Sequence, residues 1–530
     1  MTRSLTKILL TGSIATCLLS CNEKQKTKET VPPNIIYILA DDLGYGEVGA
    51  YGQKKIETPN IDALASKGML FTQHYTGAPV CAPARYSLLT GKHMGHSYIR
   101  GNDEWGERGD VKNYLATIRD STLEGQRPMP LNTATIAHML KEAGYTTGMV
   151  GKWGLGAPHT ESVPNNMGFD YFYGFNCQRQ AHTYYPVHLY ENKERVYLSN
   201  DTVPPHTGLP ENVDPNKEGS YAMYTSNDYA PELMFNKVSA FVKQNKDRPF
   251  FMYWADPVPH VPLQVPKRWV DHYIQKFGEE KPYTGDKGYF PNKNPRATYA
   301  AMVSYFDENI GKLIAQLKQE GLYQKTIIIF TSDNGPTFNG GSDSEWFESA
   351  GPYSSIRGRG KGFLYEGGIR IPMIASWPGN IKAGTKTDLP SAQYDVMATL
   401  CELTGQAPPR ETDGISFLPT LLGKENEQQK HDFLFWEYPE YGGQVAIRMG
   451  DWKILRRDLM DAEKATLELY NLKTDPREEH NVAGQHSEIV KKAEAIFKEQ
   501  HSDAEIKKFR IPLIESGLLN KTEYASSNDL

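Results

Sequence analysis

Three places in the 530-residue chain bring together residue types that can do chemistry. The apolar run Asn34 to Ala40 (NIIYILA) ends in Asp41-Asp42-Leu43-Gly44, and Thr326 to Phe330 (TIIIF) is followed by Thr331-Ser332-Asp333-Asn334-Gly335. Three carboxylates and an amide oxygen at two strand ends repel one another unless a cation joins them. All-oxygen donors select a hard ion, Ca2+ or Mg2+. Either pair alone also reads as an ordinary turn, because Asp and Asn open turns after strands. The third place is Cys81-Ala82-Pro83-Ala84-Arg85. Pro83 suits the first turn of a helix. Cys81 then sits at an N-terminus, where amide N–H groups and the dipole favour an anion. Arg85, four residues on, shares its face. The expectation is an anion-binding nucleophile beside a fixed cation; the alternative is a buried structural cysteine.

These residues need a frame. Apolar strand patterns at 34–40, 146–150, 249–254 (PFFMYW) and 326–330 alternate with helical patterns at 60–67, 133–142, 232–244 and 298–320. That alternation predicts an α/β fold: a large mixed, mostly parallel sheet flanked by helices. Ligands of such sheets bind beyond the carboxyl ends of the strands, where both acidic pairs fall. Residues 192–226, rich in Pro, Asn and Gly, read as a long surface insertion. After Pro408, short aromatic alternating segments at 433–437, 444–449, 452–456 and 467–472, then an amphipathic pattern at 487–499, predict a small C-terminal antiparallel sheet packed by one helix. The expected organisation is a catalytic domain over 34–408, a C-terminal subdomain over 409–510 and a polar, loosely held tail over 511–530.

The net charge of -6 leaves no basic surplus, which excludes a general nucleic-acid binder. Residues 1–20 read as a secretory signal: Arg3 and Lys7, then an apolar run too short to span a bilayer. The run ends Leu18-Leu19-Ser20-Cys21, which resembles a lipobox, and a charged tether follows over 21–33. The expectation is an exported bacterial lipoprotein of the periplasm, outer membrane or cell surface, touching membrane through its lipid anchor alone. Cys81, Cys177 and Cys401 remain, an odd number in an oxidising compartment, so at least one thiol is unpaired or chemically altered.

Cys-x-Pro-x-Arg followed by Thr90-Gly91-Lys92 resembles the signature of the type I sulfatases of the alkaline phosphatase-like superfamily. Further stations follow in order: Asp41-Asp42, Gly151-Lys152-Trp153, Pro259-His260-Val261-Pro262, Asp333-Asn334-Gly335, Lys361 before Tyr365-Glu366-Gly367-Gly368, Asp413-Gly414, and Leu467-Glu468-Leu469-Tyr470 with Asp475-Pro476. Ordered motifs carry far more weight than one. The resemblance implies that Cys81 is oxidised by a formylglycine-generating maturation enzyme to Cα-formylglycine, which would explain the odd thiol. It implies a metal held by Asp41, Asp42, Asp333 and Asn334 together with position 81, Arg85 bracing the formylglycine diol, and Lys152, Lys361 and His260 on the sulfate oxygens. His260 and Lys361 would protonate the departing oxygen, and a formylglycine-sulfate intermediate would release sulfate by elimination. The implied substrate is a sulfated saccharide, of glycosaminoglycan or algal galactan type. Rival readings are a phosphonate monoester or phosphodiester hydrolase of the same superfamily, or an inactive glycan-binding lipoprotein.

One departure stands out. Many members read Gly-Lys-Trp-His, where this chain has Gly154. Glycine cannot accept a proton, so another base is expected, with His182 the first choice and His159 the second. Arg100, Asn102 and Asp103, and the aromatics Trp105, Tyr184, Tyr185, Trp346, Phe347, Tyr353, Trp436 and Tyr441, are expected to include sugar contacts.

Overall fold

The computed structural model describes residues 1–2 and 32–516. The signal, Cys21 and most of the tether lie outside the described residues. Among the described residues, sixteen strands form three sheets. They are β1 (Asn34–Ala40), β2 (Met69–Phe71), β3 (His74–Tyr75), β4 (Thr146–Lys152), β5 (Tyr171–Phe175), β6 (His188–Glu191), β7 (Glu194–Tyr197), β8 (Phe250–Ala255), β9 (Thr326–Ser332), β10 (Met373–Ser376), β11 (Thr385–Thr387), β12 (Ser391–Ala392), β13 (Leu434–Tyr438), β14 (Gln444–Met449), β15 (Trp452–Arg457) and β16 (Thr466–Asn471). The large sheet has the order β11-β2-β10-β9-β1-β8-β4-β5-β6-β7. Its centre, from β9 to β5, is parallel.

The apolar runs form central strands because both of their faces are buried. In β1, Ile36 and Ile38 enter one hydrophobic core while Ile35, Tyr37 and Leu39 enter the other. β8 divides likewise, with Met252 and Trp254 on one side and Phe251 and Tyr253 on the other. The first face is covered by the helices Pro59–Ser66, Ala230–Gln244, Lys267–Phe277 and Pro295–Gln319, which place Leu64, Val238, Tyr273 and Ile310 in its core. The second is covered by Cys81–Thr90, Ile136–Glu142 and Asp395–Leu403, through Leu88, Leu140 and Leu400. Among the described residues no helix is long and apolar enough to cross a membrane.

The four-stranded sheet β13-β14-β15-β16 is antiparallel, and the helix Ser487–Gln500 packs on it through Val490 and Ala493. Its other face packs Trp436, Tyr438 and Leu455 against Tyr75, Val80 and Tyr365 of the main body. Trp436 Nε1 donates to the Thr76 carbonyl at 2.8 Å. The small sheet therefore buttresses the segment leading into Cys81. One expectation fails over part of its range: residues 511–516 are not loose, while 517–530 lie outside the described residues. Ile511, Leu513 and Ile514 are buried under the small sheet, because they supply the apolar contacts its outer face needs.

Candidate active site

β1 and β9 are adjacent and in register, Ala40 against Ser332, so Asp41 and Asp333 emerge side by side. The Asp333 N–H donates to the Ala40 carbonyl at 3.0 Å. The backbone then turns sharply. Asp42 takes φ 65, a left-handed conformation uncommon outside glycine, and its N–H donates to Asp333 Oδ1 at 3.1 Å. Beyond the turn, Glu47 accepts from the Gly44 N–H (2.7 Å), the Tyr299 hydroxyl (2.7 Å) and the Ser349 hydroxyl (2.5 Å). Burial pushes that carboxyl up to about 7.

Asp41, Asp42, Asp333 and Asn334 are all fully buried. Two unit charges 4 Å apart interact by about 4 kcal/mol at an effective dielectric near 20, so this grouping survives only beside matching cations. Three are present. Lys152, from the end of β4, places Nζ 2.5 Å from Asp41 Oδ2. Arg85 donates to Asp41 Oδ2 at 3.1 Å, to Asp333 Oδ2 at 2.9 Å and to the Lys152 carbonyl at 2.6 Å. Lys361 lies 2.6 Å from Asp42 Oδ1 and 3.6 Å from Cys81 Sγ. Burial alone would raise Asp41, but Lys152 and Arg85 hold it well below the usual carboxylate range. Asp333 is less compensated: burial and Asp41 push it up to about 6 despite Arg85. Asp42 is also raised, by burial and by Asp41.

Cys81 opens the helix Cys81–Thr90, as its spacing predicts. Its Sγ lies 3.4 Å from Asp41 Oδ1. The expected stabilisation of an anion at the helix N-terminus loses to burial and to the neighbouring carboxylate, which push the thiol far above its ordinary range. Arg85 does lie on the same side of the helix, yet its guanidinium braces carboxylates.

Above this floor lies a cavity of about 320 Å³ whose walls include Cys81, Lys152, His182, His260 and Lys361. His260 follows β8 and is buried. Its Nδ1 lies 2.5 Å from the Val261 carbonyl, which can only accept, so Nδ1 carries the proton and Nε2, 3.6 Å from Asp42 Oδ2, carries none. Burial, Lys361 and Lys152 hold the ring well below its usual range, hence neutral. His182 stacks on it, with ring centroids 5.5 Å apart and planes 16° apart. The second choice, His159, is exposed and bonds to the Ser121 hydroxyl, away from the cavity wall.

Other expectations are corrected. Tyr184, Phe347, Tyr353 and Trp436 are core side chains, held by the hydrophobic contacts their loop-like contexts concealed. Of the eight aromatics named above, Tyr441 lines the cavity. Arg100 is buried against Glu437, and Asp103 is spent on Arg127 and Lys508; Asn102 reaches the cavity. Four residues escaped sequence reasoning. Gln178 fills the space where a side chain at Gly154 would be: a Cβ there would lie 2.7 Å from Gln178 Cγ, at φ 74. The local spacing at 154 announces only an absence. Tyr289 and Glu440 line the cavity, and His206 touches His182 from the 192–226 insertion; none stands in a recognisable motif.

The residues present fit a hard divalent cation. Metal-ligating atoms of Asp41, Asp42, Cys81 and His260 lie within 4.8 Å of one another. Asn334 Nδ2 donates to Asp42 Oδ1 at 2.8 Å, leaving its buried Oδ1 without a donor. A buried acceptor with no partner is costly, and a cation would satisfy it.

The sulfatase family model matches residues 33–406, and a model described as N-sulphoglucosamine sulphohydrolase, C-terminal, matches residues 359–503. The chain is 31% identical to an N-acetylgalactosamine-6-O-sulfatase of Bacteroides thetaiotaomicron, over 89% of this chain and 94% of the relative. It is 31% identical to human arylsulfatase A, over 86% and 84% of the two chains. Among solved structures, Ps i-CgsB in complex with k-i-k-neocarrahexaose aligns with a TM-score of 0.68 at 27% identity, covering 88% of this chain and 93% of that one. With the fold, the strand-end carboxylates and the Cys81 helix all in the places such a site needs, the chain belongs to the sulfatase family and is a sulfuric ester hydrolase.

Proposed function

We propose that this enzyme removes sulfate from a sulfated saccharide of glycosaminoglycan or algal galactan type, after Cys81 has been oxidised to Cα-formylglycine by a maturation enzyme. One observation carries the reading. The residue at the centre of the converging lysines, histidine and carboxylates is a thiol held protonated by burial and by Asp41. A protonated thiol is a poor nucleophile. Converted to an aldehyde and hydrated, the same position supplies an attacking oxygen and a second hydroxyl that lets sulfate leave by elimination.

The surrounding residues then have definite work. Lys152 and Lys361 set fixed positive charge at the cavity floor, where a sulfate monoester brings negative charge that would repel a nucleophile. His260, with Nδ1–H committed to Val261, moves a proton at Nε2. Arg85 locks Asp41 and Asp333 in place. Ca2+, or Mg2+ in its stead, held by Asp41, Asp42, Asp333 and Asn334, would supply further positive charge opposite the sulfate.

The relatives support the substrate class: one is named for N-acetylgalactosamine 6-sulfate chemistry and one structure holds a neocarrahexaose. A cavity near 320 Å³ is at the small end of ligand sites, which favours one sulfated ring over a chain running through. The motif at Cys21 supports an exported, lipid-anchored enzyme. Mass spectrometry of the Cys81 peptide from the native host, paired with sulfate release from N-acetylgalactosamine 6-sulfate, tests the proposal. An aldehyde at position 81 with release is expected. An unmodified thiol in turning-over protein would overturn it.

A further inference from the structure

The histidines beside the cavity form an ordered chain of hydrogen bonds whose direction can be read. The backbone N–H of Tyr289 donates to His206 Nδ1 at 2.9 Å. That nitrogen must therefore be bare, and the neutral His206 ring carries its proton on Nε2. His206 Nε2 lies 3.1 Å from His182 Nδ1, so it is the donor and His182 Nδ1 the acceptor. His182 consequently carries its own proton on Nε2, for which no described residue offers a partner. The arrangement is held at both ends. His206 packs on Tyr289 with ring centroids 4.7 Å apart, and Tyr289 stands at φ 63, a left-handed conformation that aims its N–H at His206. His182 is fixed by stacking on His260.

The two stacked rings thus have opposite polarity. His260 keeps Nδ1–H on Val261 and offers a bare Nε2; His182 offers an Nε2–H. We infer that His206 is a positioning residue that fixes His182 as an Nε2–H donor to an oxygen of the bound saccharide, so that the 192–226 insertion reads substrate. This rests on the saccharide reading above. It also replaces the expectation that His182 is the missing base: with Nδ1 occupied and Nε2 protonated, the neutral ring has no lone pair to give.

Glutamine separates the roles, since its side-chain nitrogen can donate as Nε2–H does but cannot carry a proton. Binding of N-acetylgalactosamine 6-sulfate to Cys81→Ala protein is measured by calorimetry, and KM and kcat for its desulfation in the otherwise unchanged enzyme. In the Cys81→Ala background, His206→Phe and His182→Phe should each weaken binding about tenfold, the worth of one directed hydrogen bond. His206→Gln and His182→Gln should restore it to within about threefold. In the active enzyme the loss should fall on KM. Unchanged binding in His206→Phe, or a loss in His182→Gln that falls on kcat with KM unchanged, would overturn the inference. Saccharide binding without any sulfate release by mature wild-type enzyme would sink the sulfatase mechanism and leave the donor assignment standing.

Discussion

Two buried charge clusters in this molecule are built from the same residue types and behave differently. One is the site floor of Asp41, Asp42, Asp333, Arg85, Lys152 and Lys361. The other lies at the seam between the main body and the small sheet. There Glu366 meets Lys453 at 3.1 Å, Arg370 at 3.0 Å and the Tyr75 hydroxyl at 2.7 Å, while Lys453 also holds Glu478 at 2.8 Å. Glu366, Lys453 and Asp42 are all fully buried. In the seam, Glu366 is ringed by cations. Burial opposes its charge, but Lys453, Arg370 and Arg448 outweigh burial and hold it down at about 2. At the floor, carboxylates face carboxylates: Asp333 rises to about 6, Asp42 rises too, and Asn334 Oδ1 has no donor. The seam has a raised member too, Glu478, which burial and Glu366 push up to about 7 although Lys453 lies 2.8 Å from it, but each of its carboxylates has partners within the protein. The floor keeps a grouping that a further cation would complete, which is how strain is stored at functional sites.

Opposed substitutions break this comparison if it is wrong. Glu366→Gln removes the anion from a buried cationic nest and should cost about 3–5 kcal/mol of stability, read as a lower urea midpoint. Activity per folded molecule should be retained, since Glu366 does not line the cavity. Asp42→Asn should do the reverse. It removes a proposed metal ligand and a repelling charge, so turnover should fall on the order of 10³-fold, while the melting temperature of chelated protein stays level or rises. Chelation of the wild type should reproduce the activity loss. Equal destabilisation by both substitutions would mean that the floor, too, is merely structural.

The seam also carries a pH signature. A carboxyl whose folded pKa is about 2 against an ordinary 4.5 contributes stability that is complete above 4.5 and lost as pH falls toward 2. The size is about 3 kcal/mol. Acid unfolding curves of wild type and Glu366→Gln should therefore draw together below pH 4.5 and meet as pH approaches 2. Curves that stay parallel from pH 7 to pH 2 would remove Glu366 as the source.

The two clusters also differ in how far the sequence discloses them. The floor was legible: Asp41-Asp42 and Asp333-Asn334 stand just after apolar runs, and a strand both of whose faces are buried must sit mid-sheet. Lys152, His260 and Lys361 followed from motif order. The seam was not, because Glu366, Arg370, Tyr75, Lys453 and Glu478 meet only when β15 is packed against the main body, and local pattern carries no trace of that. The same limit hid His206, which lies in a Pro- and Asn-rich insertion with nothing to mark its reach toward His182. Burial likewise decided the aromatics: Trp436 alternates with its neighbours like any strand residue, and only tertiary packing separates it from Tyr441.

Tyr441 offers the finest test, because it ties the seam to the cavity. It sits between β13 and β14, takes φ 52, and leaves 49% of its surface exposed while lining the cavity wall. Phe363 meets it edge-on at 5.5 Å and Tyr438 stacks at 6.1 Å, so its ring is fixed before substrate arrives. Room for that ring comes from Gly362, where a Cβ would lie 2.9 Å from Tyr441 Cε1. A preset ring on a sugar face is worth about 1 kcal/mol, so Tyr441→Ala should raise KM for the sulfated saccharide about fivefold, with the loss confined to binding. Tyr441→Phe, which keeps the face, should stay close to wild type. If Phe were as poor as Ala, the hydroxyl and not the ring would be the contact. The small sheet would then contribute a polar group to the site in place of a stacking platform.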